Sequence, residues 1–218
     1  FVRIEDRVQD PLLPLSLFRA PGFSATLATN AFNSAAYMGA FVVAPLLLYE
    51  SFDFSITQAS LLMVLRPASL TIASPFGGSL GERFGERAAS AWGGGLMTVA
   101  LLAIAWGAHE SNLLLFGVGL IGQGVGHGLS QPSITSAIAH AVDEQDLGVA
   151  SAANRLAGQG GASFGIAALT IVYGGVAEPE VFAMAFGLGA LLAGISTLTA
   201  LRMSDEVEVA AGSSPESA

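Results

Sequence analysis

Apolar residues in this chain run in long blocks, broken by short clusters of charged residues, glycine and proline. Six blocks stand out, near 25–49, 59–80, 88–108, 113–138, 150–176 and 181–202. A bilayer core of about 30 Å needs about 20 mostly apolar helical residues to cross it, so each block predicts a transmembrane helix. The breaks between them are short, Glu50 to Gln58, Gly81 to Arg87, His109 to Asn112, Ala139 to Val149 and Ala177 to Glu180. Consecutive helices therefore run antiparallel, and the prediction is an all-α, six-helix membrane bundle over 25–202. Residues 1–24 read as a leading linker and 203–218 as an acidic, small-residue tail without fixed structure. The start at Phe1, with neither a basic stretch nor an unbroken apolar run after it, reads as a piece of a longer polypeptide.

Polar residues inside the blocks choose four of the six helices. The first carries Asn30, Asn33, Ser34 and Tyr37, the second Arg66, Ser69, Thr71 and Ser74, the fourth Gln123, His127, Ser130 and Gln131, and the fifth Asn154, Arg155, Gln159 and Ser163. The third and sixth carry only hydroxyls such as Thr98, Ser196, Thr197 and Thr199. Polar groups are costly in hydrocarbon, so they mark helices facing protein or a water-filled cavity. The order polar, polar, apolar, repeated once, predicts two three-helix repeats whose third helices face lipid. The candidate cavity residues are Asn30, Asn33, Tyr37, Arg66, Gln123, His127 and Gln159; the competing reading is that they satisfy one another in a packed interior. Arg66 has no acid in its own block, and is expected to face the cavity and meet an anionic group of a ligand or a carboxylate elsewhere in the polypeptide; the alternative is a structural hydrogen-bond donor to helix carbonyls. The glycines Gly122, Gly124, Gly126 and Gly128, with Gly161 and Gly165, fall at small-xxx-small spacing and predict close helix packing.

Composition agrees with this picture. Only 11% of the 218 residues are charged, against the roughly 25% usual in soluble domains, and mean hydropathy is +0.63. With no cysteine, disulfides, thiolate metal sites and cysteine nucleophiles are excluded. The net charge of −9 comes from loops and the tail and gives no support for nucleic-acid binding. Arg3, Arg7, Arg19, Arg83, Arg87, Arg155 and Arg202 all fall on the side of the termini, while the opposite loops hold no Lys or Arg. The positive-inside rule then places both termini in the cytoplasm, in what reads as a bacterial inner membrane. Trp92 and Trp106, about 21 Å apart along one helix, suit the two interfacial belts.

Enzyme motifs fail on context. Gly117 to Gly122 matches a dinucleotide fingerprint but lies inside an apolar helix with no preceding strand. Gly161 to Gly165 matches a serine-hydrolase elbow, yet His109, His127 and His140 all precede Ser163, and the histidines are too scattered for a metal site. The reading is of a chain that is not an enzyme and holds no metal or cofactor.

The break after the second block reads Gly78-Ser79-Leu80-Gly81-Glu82-Arg83-Phe84-Gly85-Glu86-Arg87. It resembles the signature segment between the second and third helices of each half in the major facilitator superfamily, with Glu86 where that family more often has a basic residue. Further similarity lies in Asp10-Pro11-Leu12-Leu13-Pro14-Leu15, Ser74-Pro75, the glycine run before Pro132, and Gln159-Gly160-Gly161. The resemblance is to the C-terminal six-helix half of the fourteen-span drug/proton antiporters. It implies alternating-access export of small molecules in exchange for protons, with an N-terminal half as partner. It also implies that Gly78, Leu80, Gly81, Glu82, Arg83, Gly85 and Arg87 form a conformational switch. The alternative function is a non-transporting receptor-like or scaffold membrane protein that keeps the fold.

Overall fold

The computed structural model describes residues 21–203. It contains seven α-helices among them: α1 (Pro21–Glu50), α2 (Ile56–Met63), α3 (Leu65–Phe84), α4 (Glu86–His109), α5 (Leu113–His140), α6 (Leu147–Tyr173) and α7 (Pro179–Ala200). A 3-10 turn (Glu144–Asp146) leads into α6. With α2 and α3 forming one span, six segments are long and apolar enough to cross a membrane. Arg3, Arg7, Arg19, residues 1–20 of the leading linker and the tail after Met203 lie outside the described residues; residues 21–24, read as linker, already belong to α1.

The chain breaks where its chemistry requires. Val64 turns between α2 and α3 because Pro67, lacking an N–H, leaves the Met63 carbonyl without its helical donor; the Val64 N–H reaches Leu61 O instead, at 3.3 Å. Ser55 and Gln58 form a reciprocal cap at the start of α2, and Asn112 caps α5 by accepting from the Leu115 N–H at 3.1 Å. The break expected from Gly81 to Arg87 is shorter than its composition suggested. Helix continues to Phe84 and resumes at Glu86, leaving Gly85 alone at the corner with φ 86° and ψ 151°. Side-chain-bearing residues rarely adopt that conformation, so one glycine replaces a loop.

The two repeats interlock. The first helix of each packs on the second and third helices of the other: α1 on α6 and α7, α5 on α3 and α4, while α4 and α7 meet each other. Contact this close depends on glycine. A Cβ on Gly161 or Gly165 would overlap the Ala31 or Ala35 carbonyl, and one on Gly128 would meet Leu70 O at 2.6 Å. Gly124 and Gly128 thus lie against α3, Gly122 and Gly126 against α4, and Gly161 and Gly165 against α1. The third helices do not simply face lipid. Half of the α4 span is buried and 44% of the α7 span, with outward faces carrying Trp92, Trp106, Leu191 and Leu198. The least covered spans are the second of each repeat, Ile56–Phe84 and Glu144–Tyr173, at 22% and 17% buried.

The main apolar core fills the end of the bundle opposite the termini. Phe116 sits at its centre, with its ring 6.3 Å from those of Phe52 and Phe186, among Leu47, Leu101, Ile104 and Leu120. Tyr173 closes the α1–α6 seam there, its hydroxyl 2.7 Å from both carboxylate oxygens of Glu50.

Candidate functional site

Towards the face bearing the termini the packing opens. A cavity of about 940 Å³ lies between α1, α5 and α6, running from Ile138 and Ser151 near the helix ends to Met38, His127 and Ala162 at mid-helix. Its wall is built on an amide cluster. Asn30 Nδ2 donates to Asn154 Oδ1 at 2.7 Å and to the Asn154 carbonyl at 2.9 Å; Asn30 Oδ1 accepts from Gln131 Nε2 at 3.2 Å and Ser34 Oγ at 3.3 Å. Every atom of the Asn30 amide that can bond is therefore used, tying α1 to both α5 and α6.

The floor is a stack. The Tyr37 and His127 rings lie 3.8 Å apart and 10° from parallel, and the Arg66 guanidinium covers the other face of Tyr37 at 3.6 Å, with Phe41 at 5.0 Å. Arg66 Nη2 also donates to the Tyr37 carbonyl. His127 Nδ1 donates to Asn33 Oδ1 at 2.6 Å, and Asn33 Nδ2 donates to Ser130 Oγ at 3.0 Å. Gln123 Nε2 reaches Ala36 O at 3.5 Å, so Arg66 and Gln123 address adjacent carbonyls of α1. Arg66 Nε and Nη1 and Gln123 Oε1 have no hydrogen-bond partner among the described residues.

The structure thus divides the sequence candidates. Asn30, Tyr37, His127 and Gln159 line the cavity. Asn33, Arg66 and Gln123, each 0% exposed, sit behind it, which corrects the expectation that they face the opening. The Tyr37–His127 stack screens Arg66 and Asn33, and the glycine-mediated seam between α3 and α5 closes over Arg66 and Gln123. The cavity also gathers residues that the sequence candidates omitted, among them Ser34, Met38, Gln131, Thr135, Asn154, Arg155 and Gly158. The signal for them was periodic: small or polar residues at 151, 154, 155, 158, 159 and 162 trace one stripe of α6.

The switch segment lies on the same face. Gly78, Leu80, Gly81, Glu82 and Arg83 occupy the last turns of α3, Gly85 the corner, and Glu86 and Arg87 the first turn of α4. A second cavity, about 390 Å³, is lined by Gly78, Gly81 and Arg83 on one side and Pro132, Ser133 and His140 of α5 on the other. Glu86, which stands where the resembled signature more often has a basic residue, is buried and meets His140 Nδ1 at 2.9 Å. Ser133 Oγ donates to Gly77 O at 3.3 Å, tying α5 to α3 just ahead of the segment.

Six apolar spans in two interlocked repeats, with a polar cavity between three of the helices, define an α-helical integral membrane protein. The chain belongs to the Major Facilitator Superfamily, whose family model matches residues 26–218. It is 37% identical over 183 residues to a tetracycline resistance determinant of Streptomyces rimosus, covering 81% of this chain and 52% of that protein. It is 30% identical over 152 residues to the multidrug resistance protein Stp of Mycobacterium tuberculosis, covering 69% of this chain and 28% of Stp. A third relative, the methylenomycin A resistance protein of Streptomyces coelicolor, is 28% identical over 205 residues, covering 88% of this chain and 41% of that protein. The chain therefore spans about half or less of the length of these relatives, and it is a transporter-family protein rather than an enzyme.

Proposed function

We propose that this chain is the C-terminal half of a proton-coupled exporter of small molecules, of the fourteen-span drug antiporter branch, working by alternating access with an N-terminal half. The observation that carries the reading is the polar cavity between α1, α5 and α6, which reaches mid-bundle from one face while aromatic packing closes the other. Sealing of one end at a time is what alternating access requires. The partner half would cover α3 and α6, which belong to the two least buried spans. Names of the relatives, all resistance proteins, support export as the direction. Arginine segregation supports a cytoplasmic opening and a bacterial inner membrane. Asn30, Tyr37, His127 and Gln159 would contact substrate, Asn33, Arg66 and Gln123 would hold those residues in place, and the Gly78 to Arg87 segment would change partners as the halves rock.

The test uses everted membrane vesicles containing the full-length polypeptide. Energised uptake of a panel of fluorescent compounds and tetracycline is expected above that of empty vesicles, and a protonophore should abolish it. Uptake insensitive to the proton gradient would refute antiport. Absence of uptake for the whole panel would favour the non-transporting alternative.

A further inference from the structure

We propose that this wall of the cavity receives an anionic group and that Arg155 holds it. The proposal rests on the transporter reading above and names the chemistry of its substrate. Among the lining residues Arg155 is the one charged side chain, and no carboxylate accompanies it. It has neither an ion pair nor a hydrogen bond among the described residues. It is not merely a flanking arginine at a helix end: eight residues beyond Leu147, it stands about 12 Å along α6 and faces the cavity.

The neighbours of Arg155 add donors. Gln159 is one turn away on the same face of α6, and Gln131 approaches from α5 with one amide hydrogen spent on Asn30. Asn30 cannot neutralise the guanidinium, since its oxygen already accepts twice. The wall therefore presents a planar, permanently charged fork with amide donors beside it, the arrangement that a carboxylate, phosphonate or enolate oxygen pair fits bidentately. Low-dielectric walls strengthen this attraction and repel a cation. The stack at the floor supplies no anion either, because Tyr37 and His127 are backed by Arg66.

The experiment measures binding and flux with two fluorescent probes of opposite charge, 5-carboxyfluorescein and ethidium, on the full-length protein. Anisotropy in nanodiscs should show carboxyfluorescein binding weakened about tenfold by Arg155→Gln and much less by Arg155→Lys, the loss expected for one charge-assisted contact. Ethidium binding should be unchanged or tighter in Arg155→Gln, and the thermal transition of both variants should match wild type because the side chain is exposed. Equal effects of Arg155→Gln on both probes, or a lowered transition temperature, would overturn the proposal and make Arg155 a structural contact to the rest of the polypeptide. Charge-selective binding without flux in vesicles would sink the transporter reading and leave the anion site standing. Flux without charge selectivity would sink the anion site alone, and absence of both binding and flux for both probes would sink the two together.

Discussion

The two ends of this bundle use different ways of holding helices together. Away from the termini, Phe52, Phe116, Phe182 and Phe186 pack with aliphatic side chains in one apolar cluster. Towards the termini the apolar clusters shrink to small groups such as Phe23, Ile138, Ala150 and Ala153, and amides span the gap. Dispersion between close-packed rings is lost steeply with separation, whereas an amide pair can exchange a protein partner for water at little cost. The difference teaches how one end is held shut in this conformation while the other leaves a polar cavity. Close glycine contacts bring backbones together in the α1–α6 and α3–α5 seams.

The strongest way to break that contrast is to remove a ring at the shut end. Phe116→Ala should cost about 3–5 kcal/mol of stability, read as a lowered thermal transition of the purified full-length protein. Met38→Ala, at a cavity residue 39% exposed, should cost less than about 1 kcal/mol. Similar losses from the two would show that the ends do not differ.

Arg66, where the two chemistries meet, comes next. Its charge is buried against Tyr37 with two nitrogens unpaired, so replacement by an apolar side chain of similar length removes a desolvation cost along with the contacts. Arg66→Met should lie within about 1 kcal/mol of wild type, while Arg66→Lys, which keeps the charge and loses the planar fork, should cost about 3 kcal/mol. Lysine behaving better than methionine in unfolding measurements would show that the charge itself has a partner there.

The α1–α6 seam is probed by Gly161. Leucine at 161 must displace the Ala31 carbonyl, whereas at Gly160 nothing lies within 4 Å. Gly161→Leu should destabilise by about 1–3 kcal/mol and Gly160→Leu by far less, which the same unfolding assay separates.

What was legible in sequence follows the same division. Span number, the repeat pattern and the glycine spacing are written as periodicities in a single helix, and each has its counterpart in the structure. Facing directions are not. Arg66 was expected in the opening because an arginine in an apolar block needs company, but a carbonyl and an aromatic face on α1 provide it. That pairing depends on the register between α1 and α3, which no local pattern encodes. Asn154 and Arg155 were visible as polar residues of the fifth block, yet only the packing of α6 on α1 shows that they share a wall with Asn30. The single-residue corner at Gly85 was hidden because a run of charges and glycines reads as a loop unless the φ of one glycine is known.

The smallest expected effect on stability, and the one that bears most on motion, is at Arg83. It lies exposed on the last turn of α3 beside the second cavity, outside both the shut core and the lining of the first. An exposed arginine there contributes a screened interaction with the C-terminal end of its helix, so Arg83→Ala should change stability by no more than about 0.5 kcal/mol. Equilibrium binding should be equally insensitive, because Arg83 is not among the residues lining the main cavity. If the segment from Gly78 to Arg87 is where the terminal face exchanges contacts during opening, the rate is the quantity that moves. Transport by Arg83→Ala should fall severalfold at unchanged affinity. Glu86→Gln, which weakens the contact with His140, should act in the same direction, on rate rather than binding. Loss of binding with normal turnover in either variant would place the segment in the substrate site and remove the distinction between a wall that recognises and a corner that moves.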